Sequence, residues 1–243
     1  MNDISMKKVI IVGATSGIGK CLAEVYAETD AKIAILGRRE ERLREIASTL
    51  SNKYISKVCD ITDTDNLAGI LDEVSDSLGG VDLIIISSGV GEFNPGLKYE
   101  LEKPTLATNV LGWTCVVDWA MNKFEKQGFG HLASISSIGG LRGSGAASSY
   151  NATKAFQINY MEGMRQKANK LNKRIFTTDI RPGFVDTNMA KGEGIFWMAS
   201  AEKAGRQIYN AIEKKRKIAY ITQRWGVIAF ILKRIPAFIY CRM

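Results

Sequence analysis

The 243-residue sequence predicts a single α/β domain built on a doubly wound, mostly parallel sheet of seven strands, with helices on both faces. Three observations support this prediction. Short apolar runs of strand length alternate with longer segments of helical periodicity, a glycine-rich turn follows the first strand, and no repeat or linker divides the chain. We assign residues 1–222 to this domain and residues 223–243 to a C-terminal extension.

The composition excludes several classes of function. Four scattered cysteines and a single histidine, His131 in a predicted strand, fit neither a disulfide framework, a metal site nor a histidine-based triad. The net charge of +8 arises near the C-terminus, where residues 203–243 contain ten Lys or Arg and one acidic residue. No nucleic-acid-binding signature accompanies these charges, so we expect no nucleic-acid partner.

The first residues indicate no export. Residues 1–8 are mixed in character and lack the apolar stretch of a secretory signal. We therefore expect a cytoplasmic protein with reduced thiols. A peripheral position at the inner membrane surface, reached through the C-terminal extension, is the alternative.

The first strand, predicted at residues 7–12, leads into the turn Gly13-Ala-Thr-Ser-Gly17-Ile-Gly19, and a helix is predicted at residues 20–29. Glycines let the backbone approach a ligand closely, and the free N–H groups of a helix N-terminus attract an anion. The turn therefore predicts a phosphate-binding site. An ordinary strand–helix turn is the alternative.

The second strand, at residues 32–36, ends at Gly37-Arg38-Arg39. NAD-binding domains often have an Asp or Glu here for the ribose hydroxyls, whereas an Arg can bind a 2′-phosphate through two hydrogen bonds. Two arginines and no acid favour NADP(H) over NAD(H). Arg38 is the stronger candidate, because Arg39 also begins a charged helix predicted at residues 40–50.

The third and fourth strands end in polar or small residues. Asp60 and Ile61 follow the third strand, at residues 54–58, and Thr62 or Asp63 would cap the next helix, which ends near residue 78. The fourth strand, at residues 81–86, leads into Ser87-Ser88-Gly89, where a flat ring has room to lie against the backbone. Ligands bind at the carboxyl ends of strands in open α/β sheets.

The same alternation continues to residue 222. The remaining predicted elements are a loop at 92–104, a helix to residue 126 that carries Asn109, a strand at 132–135 followed by Ser136-Ser137, a glycine-rich loop at 139–145, a helix at 150–171, a strand at 174–180, a helix at 201–214 and a strand at 218–222.

One pair of residues indicates acid–base chemistry. Tyr150 and Lys154 are four positions apart in a predicted helix and therefore lie on one face. A Lys ammonium near a Tyr hydroxyl would lower the pKa of the Tyr from about 10 and let it exchange a proton near neutral pH. A solvated helix face would show the same spacing, so the interpretation depends on the rest of the chain.

These motifs together resemble the short-chain dehydrogenase/reductase family, in its single-domain Rossmann form. The resemblance covers residues 6–222, and the 13-residue interval from Ser137 to Tyr150 also fits. In one departure, Ser87-Ser88-Gly89-Val90 stands where the family usually has Asn-Asn-Ala-Gly. The matching features, in the family's order, are Gly13-x-x-x-Gly17-x-Gly19, Asp60, Asn109, Ser137, Tyr150-x-x-x-Lys154 and Pro182-Gly183-x-Val185-x-Thr187.

The resemblance implies an NADP(H)-dependent oxidoreductase that transfers a hydride between the nicotinamide and a carbonyl or alcohol. Tyr150 would exchange a proton with the substrate oxygen, and Ser137 would position that oxygen. Lys154 would lower the pKa of Tyr150 and bind the nicotinamide ribose. Asn109 would hold a water that links Lys154 to bulk solvent. A catalytically silent nucleotide sensor or membrane-surface scaffold is the alternative, and these four residues favour the enzyme.

The implied cofactor contacts extend along the whole sheet edge. Pro182 and Val185 would lie along the nicotinamide, and Thr187 would reach its carboxamide or the pyrophosphate. The full set is Gly13, Thr15, Ser16, Gly17, Ile18, Gly19, Arg38, Arg39, Asp60, Ile61, Ser87, Gly89, Asn109, Tyr150, Lys154, Pro182, Gly183, Val185 and Thr187.

Three loops at this edge, residues 91–97, 141–147 and 184–198, are predicted to select the substrate. An apolar ketone or aldehyde is favoured by their side chains, although these residues would equally well cover the core. The apolar residues are Phe93, Leu141, Phe184, Phe196, Trp197 and Met198.

The C-terminal extension alternates apolar runs with Lys and Arg. It is too short and too charged to span a bilayer, but such a segment can lie in a membrane interface. It would alternatively pack on its own domain or on a partner subunit, since family members commonly form homodimers or homotetramers.

Overall fold

The computed structural model describes residues 6–50, 54–187 and 196–242. In these ranges seven strands form one sheet in the order β3-β2-β1-β4-β5-β6-β7, and all neighbouring pairs are parallel. The predicted doubly wound sheet is therefore confirmed. The strands are β1 (Lys8–Val12), β2 (Lys32–Gly37), β3 (Tyr54–Val58), β4 (Leu83–Ile86), β5 (Phe129–Ile135), β6 (Arg174–Pro182) and β7 (Ile218–Ile221).

Helices cover both faces of the sheet. A π-helical turn, Ala107–Gly112, separates α4 from α5, and a 3₁₀ turn, Ile138–Leu141, precedes α6. The helices are α1 (Gly17–Ala27), α2 (Glu40–Thr49), α3 (Thr64–Leu78), α4 (Tyr99–Leu106), α5 (Trp113–Gln127), α6 (Ser148–Lys170), α7 (Ala201–Glu213), α8 (Trp225–Leu232) and α9 (Ala237–Tyr240).

Alternating side chains of the central strands divide between two cores. Val9 and Ile11 of β1 pack into one core with residues of α1, α2 and α7. Ile10 and Val12 pack into the other, with residues of α3 and α5. Because both faces are covered, the central strands are apolar almost throughout, which explains the continuous runs in the sequence.

The strand order reverses at the centre of the sheet. From β1 the chain adds β2 and β3 on one side, and it then crosses to β4, β5, β6 and β7 on the other. Such a reversal opens a crevice at the carboxyl ends of the strands, where α/β sheets bind ligands. The predicted site residues follow these strand ends.

The prediction of a loop over residues 92–104 is wrong for its second half, because α4 begins at Tyr99. Pro104 lies inside this helix, where it has no N–H to donate to the carbonyl four residues earlier. Asn94 organises the first turn: its Oδ1 accepts from the Lys98 N–H at 2.9 Å, and its Nδ2 donates to the Glu102 carboxylate at 3.1 Å.

Other boundaries shift by two to three residues. The structure begins α1 at Gly17 instead of residue 20, and it begins β5 at Phe129 instead of residue 132. It begins α6 at Ser148 instead of residue 150, and β6 continues to Pro182. These ends depend on backbone pairing, which hydropathy does not report.

The C-terminal extension packs on its own domain. Arg142 Nη1 donates to the carbonyls of Leu232, at 3.2 Å, and Ile235, at 2.9 Å. The Tyr240 hydroxyl donates a hydrogen bond to the Gly143 carbonyl at 2.6 Å. The extension therefore holds the loop between β5 and α6. None of the helices described here is long and apolar enough to cross a membrane.

Candidate active site

The four predicted catalytic residues converge near the carboxyl ends of β4 and β5. Ser137 follows β5, Tyr150 and Lys154 lie one turn apart on α6, and Asn109 lies in the π-helical turn. Gly91, after β4, packs against the ring of Tyr150, where a Cβ would collide with that ring. The fold thus brings together residues that are far apart in sequence.

Tyr150 and Ser137 present their hydroxyl groups to each other. Burial raises the pKa of Tyr150 above its ordinary value, and a hydrogen bond with the Ser137 side chain opposes the rise. Ser137 Oγ also accepts from the Gly139 N–H at 3.0 Å, which holds the hydroxyl in place. Two fixed hydroxyl groups at one point can bind a single substrate oxygen.

Lys154 lies beneath Tyr150 and is only 3% exposed. Its Nζ donates to the Ile135 carbonyl and to Gln157 Oε1, both at 2.9 Å, and lies 5.8 Å from the centroid of the Tyr150 ring. Burial lowers the pKa of Lys154 to about 8, and the Asp179 carboxylate opposes this shift.

The expected lowering of the Tyr150 pKa by Lys154 is not what the structure gives. Burial of the phenol dominates and raises that pKa. Two hydrogen bonds of the Lys154 ammonium go to the Ile135 carbonyl and Gln157 instead of the phenol. Sequence spacing predicts that the two side chains share a face, but it does not report how deeply that face is buried.

A buried ion pair lies on β6 beside the site. Arg181 donates from Nε and Nη2 to Asp179 Oδ2, both at 2.6 Å, and Ser136 Oγ donates to Asp179 Oδ1 at 2.5 Å. Burial raises the pKa of Asp179, while Arg181 and Ser136 counteract the rise. The charge of this carboxylate favours the ammonium form of Lys154.

Asn109 is anchored by both of its polar groups. Its side-chain amide accepts from the Val90 N–H at 2.9 Å and donates to the Val90 carbonyl at 2.7 Å and to Thr153 Oγ1 at 3.0 Å. Its backbone carbonyl accepts from Gln157 Nε2 at 2.9 Å. Lys154 and Asn109 are thus joined by the amide of Gln157. The water that Asn109 is expected to hold, between Lys154 and bulk solvent, stays a prediction.

Gln157 was missed by sequence reasoning. It is fully buried and lies three residues after Lys154 on α6. Residues three apart on a helix are neighbours, and a glutamine that follows a functional lysine at this interval is a weak signal that was available.

The glycine-rich turn has the backbone that its sequence predicts. Gly13 and Gly17 have φ values of +91° and +54°, a region that favours glycine. Ser16 precedes α1 without a side-chain cap, so the first N–H groups of the helix remain available to a ligand. Ile18 packs against the core beside them.

An open cleft of about 610 Å³ lies in front of this turn. Thr15, Ser16, Gly17, Arg39 and Thr187 contribute to its wall. The cleft combines backbone N–H groups, hydroxyl groups and a guanidinium, which are the donors that recognise phosphate oxygens.

The two arginines after β2 have different surroundings. Arg39 Nη2 donates to Thr15 Oγ1 and Ser16 Oγ, both at 2.7 Å, and so reaches the glycine-rich turn. Arg38 Nη1 lies 3.8 Å from Asp60 Oδ2, and its side chain is 58% exposed. The sequence favours Arg38 as the phosphate ligand, whereas the geometry brings Arg39 closer to the helix N-terminus.

Asp60 and the small residues after β4 line the remainder of the crevice. Asp60 Oδ1 accepts from the Thr62 N–H at 2.9 Å, and the Ile61 carbonyl lies against Gly112. Ser87 donates its N–H to the Val12 carbonyl at 2.8 Å. At Gly89, an added Cβ would press against Lys154 Nζ, so the backbone there passes close to the ammonium.

The segment after β6 lies on the opposite side of the crevice from Asp60. Pro182 pairs with Ile221 of β7, and the Gly183 N–H donates to the Ile221 carbonyl at 2.7 Å. Val185 forms a parallel bridge with Ala199. Thr187 stands opposite Gly17, so that the glycine-rich turn and this segment face each other.

Aromatic residues of the predicted substrate loop pack on the C-terminal extension. Trp225 contacts Phe184 and Phe196 with ring centroids 5.6 and 5.1 Å apart. Trp197 and Met198 are about half exposed, at 47% each. Residues 188–195 of the predicted loop 184–198 lie outside the described residues.

The chain resembles known proteins along most of its length. A family model described as short chain dehydrogenase matches residues 7–195. A Mycobacterium tuberculosis protein named as an uncharacterized oxidoreductase is 29% identical over 225 residues, which is 88% of each chain.

Solved structures share the fold. A short chain dehydrogenase/reductase from Burkholderia phymatum in complex with NAD superposes with a TM-score of 0.84 and 19% identity, covering 94% of this chain and 93% of that one. ElxO with NADP bound gives a TM-score of 0.78 and 21% identity over 89% of this chain and 97% of that one. The match to the family model spans more than half of the chain, and the protein belongs to the short chain dehydrogenase family of oxidoreductases.

Proposed function

We propose that the protein is an NADP(H)-dependent oxidoreductase that transfers a hydride between the nicotinamide and the carbonyl or alcohol group of an apolar compound. The observation that carries the proposal is the contact between the Ser137 and Tyr150 hydroxyl groups above the buried Lys154. A catalytically silent sensor would have no need of this arrangement.

The residues at the sheet edge fit a dinucleotide. Gly13, Gly17 and the uncapped N-terminus of α1 would hold the pyrophosphate, because they combine close backbone approach with free N–H groups. Asp60 and Ile61 would border the adenine, and Ser87 and Gly89 would leave room for the nicotinamide half.

The nicotinamide half would lie between β4 and the segment after β6. Pro182, Gly183 and Val185 would form one wall of this space. Thr187 faces the glycine-rich turn. Lys154 lies at its base, close to the backbone of Gly89, with hydrogen-bonding capacity left for a ribose hydroxyl.

The proton chemistry rests on Tyr150. When bound, NADPH supplies the hydride. As the carbonyl oxygen gains negative charge, Tyr150 donates its proton, and Ser137 donates a second hydrogen bond to the same oxygen. The charged form of Lys154 stabilises the phenolate that remains. Reduction therefore requires a protonated Tyr150 and a charged Lys154.

The preference for NADP(H) is inferred from Arg38 and Arg39. No acidic side chain occupies the end of β2, and Arg39 already reaches two hydroxyl groups of the cleft. A 2′-phosphate would supply an anion for Arg39, whose hydrogen bonds go to neutral hydroxyl groups, and a second anion beside Asp60 for Arg38. With NADPH as the reductant, we take carbonyl reduction as the physiological direction.

An apolar ketone or aldehyde is the proposed substrate class. Phe93, Phe196, Trp197 and Met198 are exposed around the site and offer apolar contact area. The aromatic rings that pack around Trp225 support this apolar surface from below.

Exposed apolar residues of the C-terminal extension bear on how the protein assembles and where it is located. We propose that the Rossmann domain ends at residue 222. The extension beyond it has exposed Val227, Phe230 and Phe238. We propose that a second subunit of a homodimer or homotetramer covers this surface in the cytoplasm, and that contact with the inner membrane is the alternative. Deletion of residues 224–243, followed by native mass spectrometry and liposome sedimentation, distinguishes these alternatives. Loss of the oligomer supports the subunit contact, and liposome binding that survives the deletion contradicts the membrane contact.

A screen tests the proposed activity. Purified protein is incubated with NADPH or NADH and a panel of apolar and charged carbonyl compounds, and loss of the reduced nicotinamide is recorded. We expect turnover with NADPH and apolar carbonyls. Binding of NADPH without turnover of any carbonyl or alcohol in the panel would favour the silent sensor.

A further inference from the structure

We infer that Gln157 is a positioning residue of the active site, which fixes the Lys154 ammonium and joins it to the Asn109 carbonyl through a direct amide bridge. This inference rests on the proposed acid–base role of Lys154. Three hydrogen bonds and the burial of every participant carry it.

The bridge uses both ends of the Gln157 amide. Oε1 accepts from Lys154 Nζ and Nε2 donates to the Asn109 carbonyl, each at 2.9 Å. Reversing the amide would place its NH₂ group against the ammonium and its oxygen against a carbonyl, so the orientation is fixed by its partners. Gln157 and Asn109 are fully buried, and Lys154 nearly so.

The π-helical turn makes the Asn109 carbonyl available. In a regular α-helix this oxygen would accept from the N–H four residues later, whereas the turn Ala107–Gly112 widens the ladder. The Asn109 side chain is already committed to Val90 and Thr153. The turn therefore presents one backbone acceptor toward α6, and Gln157 Nε2 donates a hydrogen bond to it.

The bridge restricts Lys154. An ammonium has three N–H donors, and two are used by Ile135 and Gln157. The third is left for the cofactor and Tyr150. With both acceptors on rigid elements, β5 and α6, Nζ is held at one place instead of sampling the rotamers of a free lysine.

The bridge also ties Asn109 to the catalytic helix. The Asn109 carbonyl accepts from Gln157 Nε2, while its side-chain amide contacts Val90 and Thr153. Asn109 is therefore an anchor for Val90, Thr153 and Gln157.

The charge around Lys154 determines what a substitution at position 157 does. Two groups with ionisable side chains face it from the packed elements: Tyr150 on its own helix, and Asp179 on β6, which is itself paired with Arg181. The neutral Gln157 contributes an acceptor without a net charge. Replacing it with a carboxylate or an alkyl group should move the lysine pKa in opposite directions.

The test measures that pKa directly. The Cε resonance of ¹³C-labelled lysine is followed against pH in the full-length protein and assigned by its loss in Lys154→Met. The wild-type midpoint is expected near pH 8. Gln157→Glu, which is nearly isosteric, is expected to raise the midpoint by at least about one unit, and Gln157→Leu to lower it.

A matched control comes from the opposite end of the sheet. Gln127 Nε2 donates to the carbonyls of Val81 and Phe129, at 2.8 and 2.7 Å, far from Lys154. Gln127→Leu removes a comparable amide bridge and should leave the Lys154 midpoint unchanged. If Gln157→Leu fails to fold, Gln157→Glu still tests the inference.

Turnover provides the second readout. Loss of a hydrogen bond to a charged group corresponds to a decrease in kcat of about tenfold to hundredfold for Gln157→Leu. In Gln157→Glu the alkaline limb of the kcat profile should move upward in pH with the lysine midpoint. A midpoint that stays the same in both Gln157 variants overturns the inference, even if the enzyme is active. A wild type that lacks turnover but shows the shifts instead contradicts the proposed function alone.

Discussion

Substitution of the two arginines after β2 tests how the protein distinguishes its cofactors. Arg39→Ala removes a guanidinium that donates to Thr15 and Ser16 at the glycine-rich turn. Arg38→Ala removes one that lies near Asp60. Both changes should weaken binding of NADPH, which has a 2′-phosphate, and leave NADH binding nearly intact.

The size of each effect follows from the partners of each guanidinium. A hydrogen bond between charged groups contributes about 1.5–3 kcal/mol, so Arg39→Ala should raise the NADPH Kd by about tenfold to hundredfold. Arg38 is exposed to solvent, and its nearest charged neighbour is already a carboxylate. Screening reduces its contribution to about 1 kcal/mol or less, which corresponds to an increase of about fivefold at most.

The assay is a fluorescence titration of each variant with NADPH and NADH at low and moderate ionic strength. Arg44→Ala is the matched control, because Arg44 pairs with Glu40 on the exposed face of α2. Its Kd values should match those of the wild type. The selectivity for NADPH should also decrease as salt is added.

Equal losses of NADPH and NADH affinity in both Arg38→Ala and Arg39→Ala would refute this reasoning. A larger selective loss of NADPH affinity in Arg38→Ala than in Arg39→Ala would instead support Arg38 as the main phosphate ligand, as the sequence favours. It would then contradict the ranking drawn from the hydrogen bonds of Arg39.

Three further substitutions test other parts of the account. Gly91→Ala places a Cβ against the Tyr150 ring and should lower kcat by about tenfold or more. Gly96→Ala is the control, because a Cβ there meets no neighbour and should leave kcat unchanged. Equal kcat values in the two variants would contradict the contact between Gly91 and the Tyr150 ring. Asp179→Asn leaves Arg181 buried without its charged partner and should lower the free energy of unfolding in urea by about 3–5 kcal/mol. Asp118→Asn, at an exposed position, should lower it little. Similar decreases in both variants would show that the Asp179–Arg181 pair does not stabilise the fold. Arg142→Ala removes the two hydrogen bonds to Leu232 and Ile235 and should increase amide exchange in α8 and α9 by about tenfold or more; unchanged exchange would mean that the extension is held by other contacts.

The sequence predicts the sheet well because β1, β2 and β4 are buried on both faces and therefore read as continuous apolar runs. Gly13 and Gly17 mark the turn because their positive φ values favour glycine. Tyr150 and Lys154 share a face because helical spacing alone requires it.

Other features depend on contacts that no local pattern reports. The pKa of Tyr150 is set by burial, and depth of burial follows from the packing of Gly91 and α6 against it. Arg142 reaches carbonyl groups about 90 positions away in the sequence. Gln157 acquires its role only because a π-helical turn presents the Asn109 carbonyl to it.

The most direct test of the central claim is a comparison of Tyr150→Phe with Tyr160→Phe. Both tyrosines lie on α6, but Tyr160 donates to Asp118 near the surface. Carbonyl-dependent oxidation of NADPH is measured for both variants at saturating cofactor, with the NADPH Kd determined separately. We expect Tyr150→Phe to lose turnover by at least about a hundredfold, the contribution of a positioned acid, with an unchanged Kd, and Tyr160→Phe to remain active. Turnover near the wild-type level in Tyr150→Phe would contradict the assignment of Tyr150 as the proton donor.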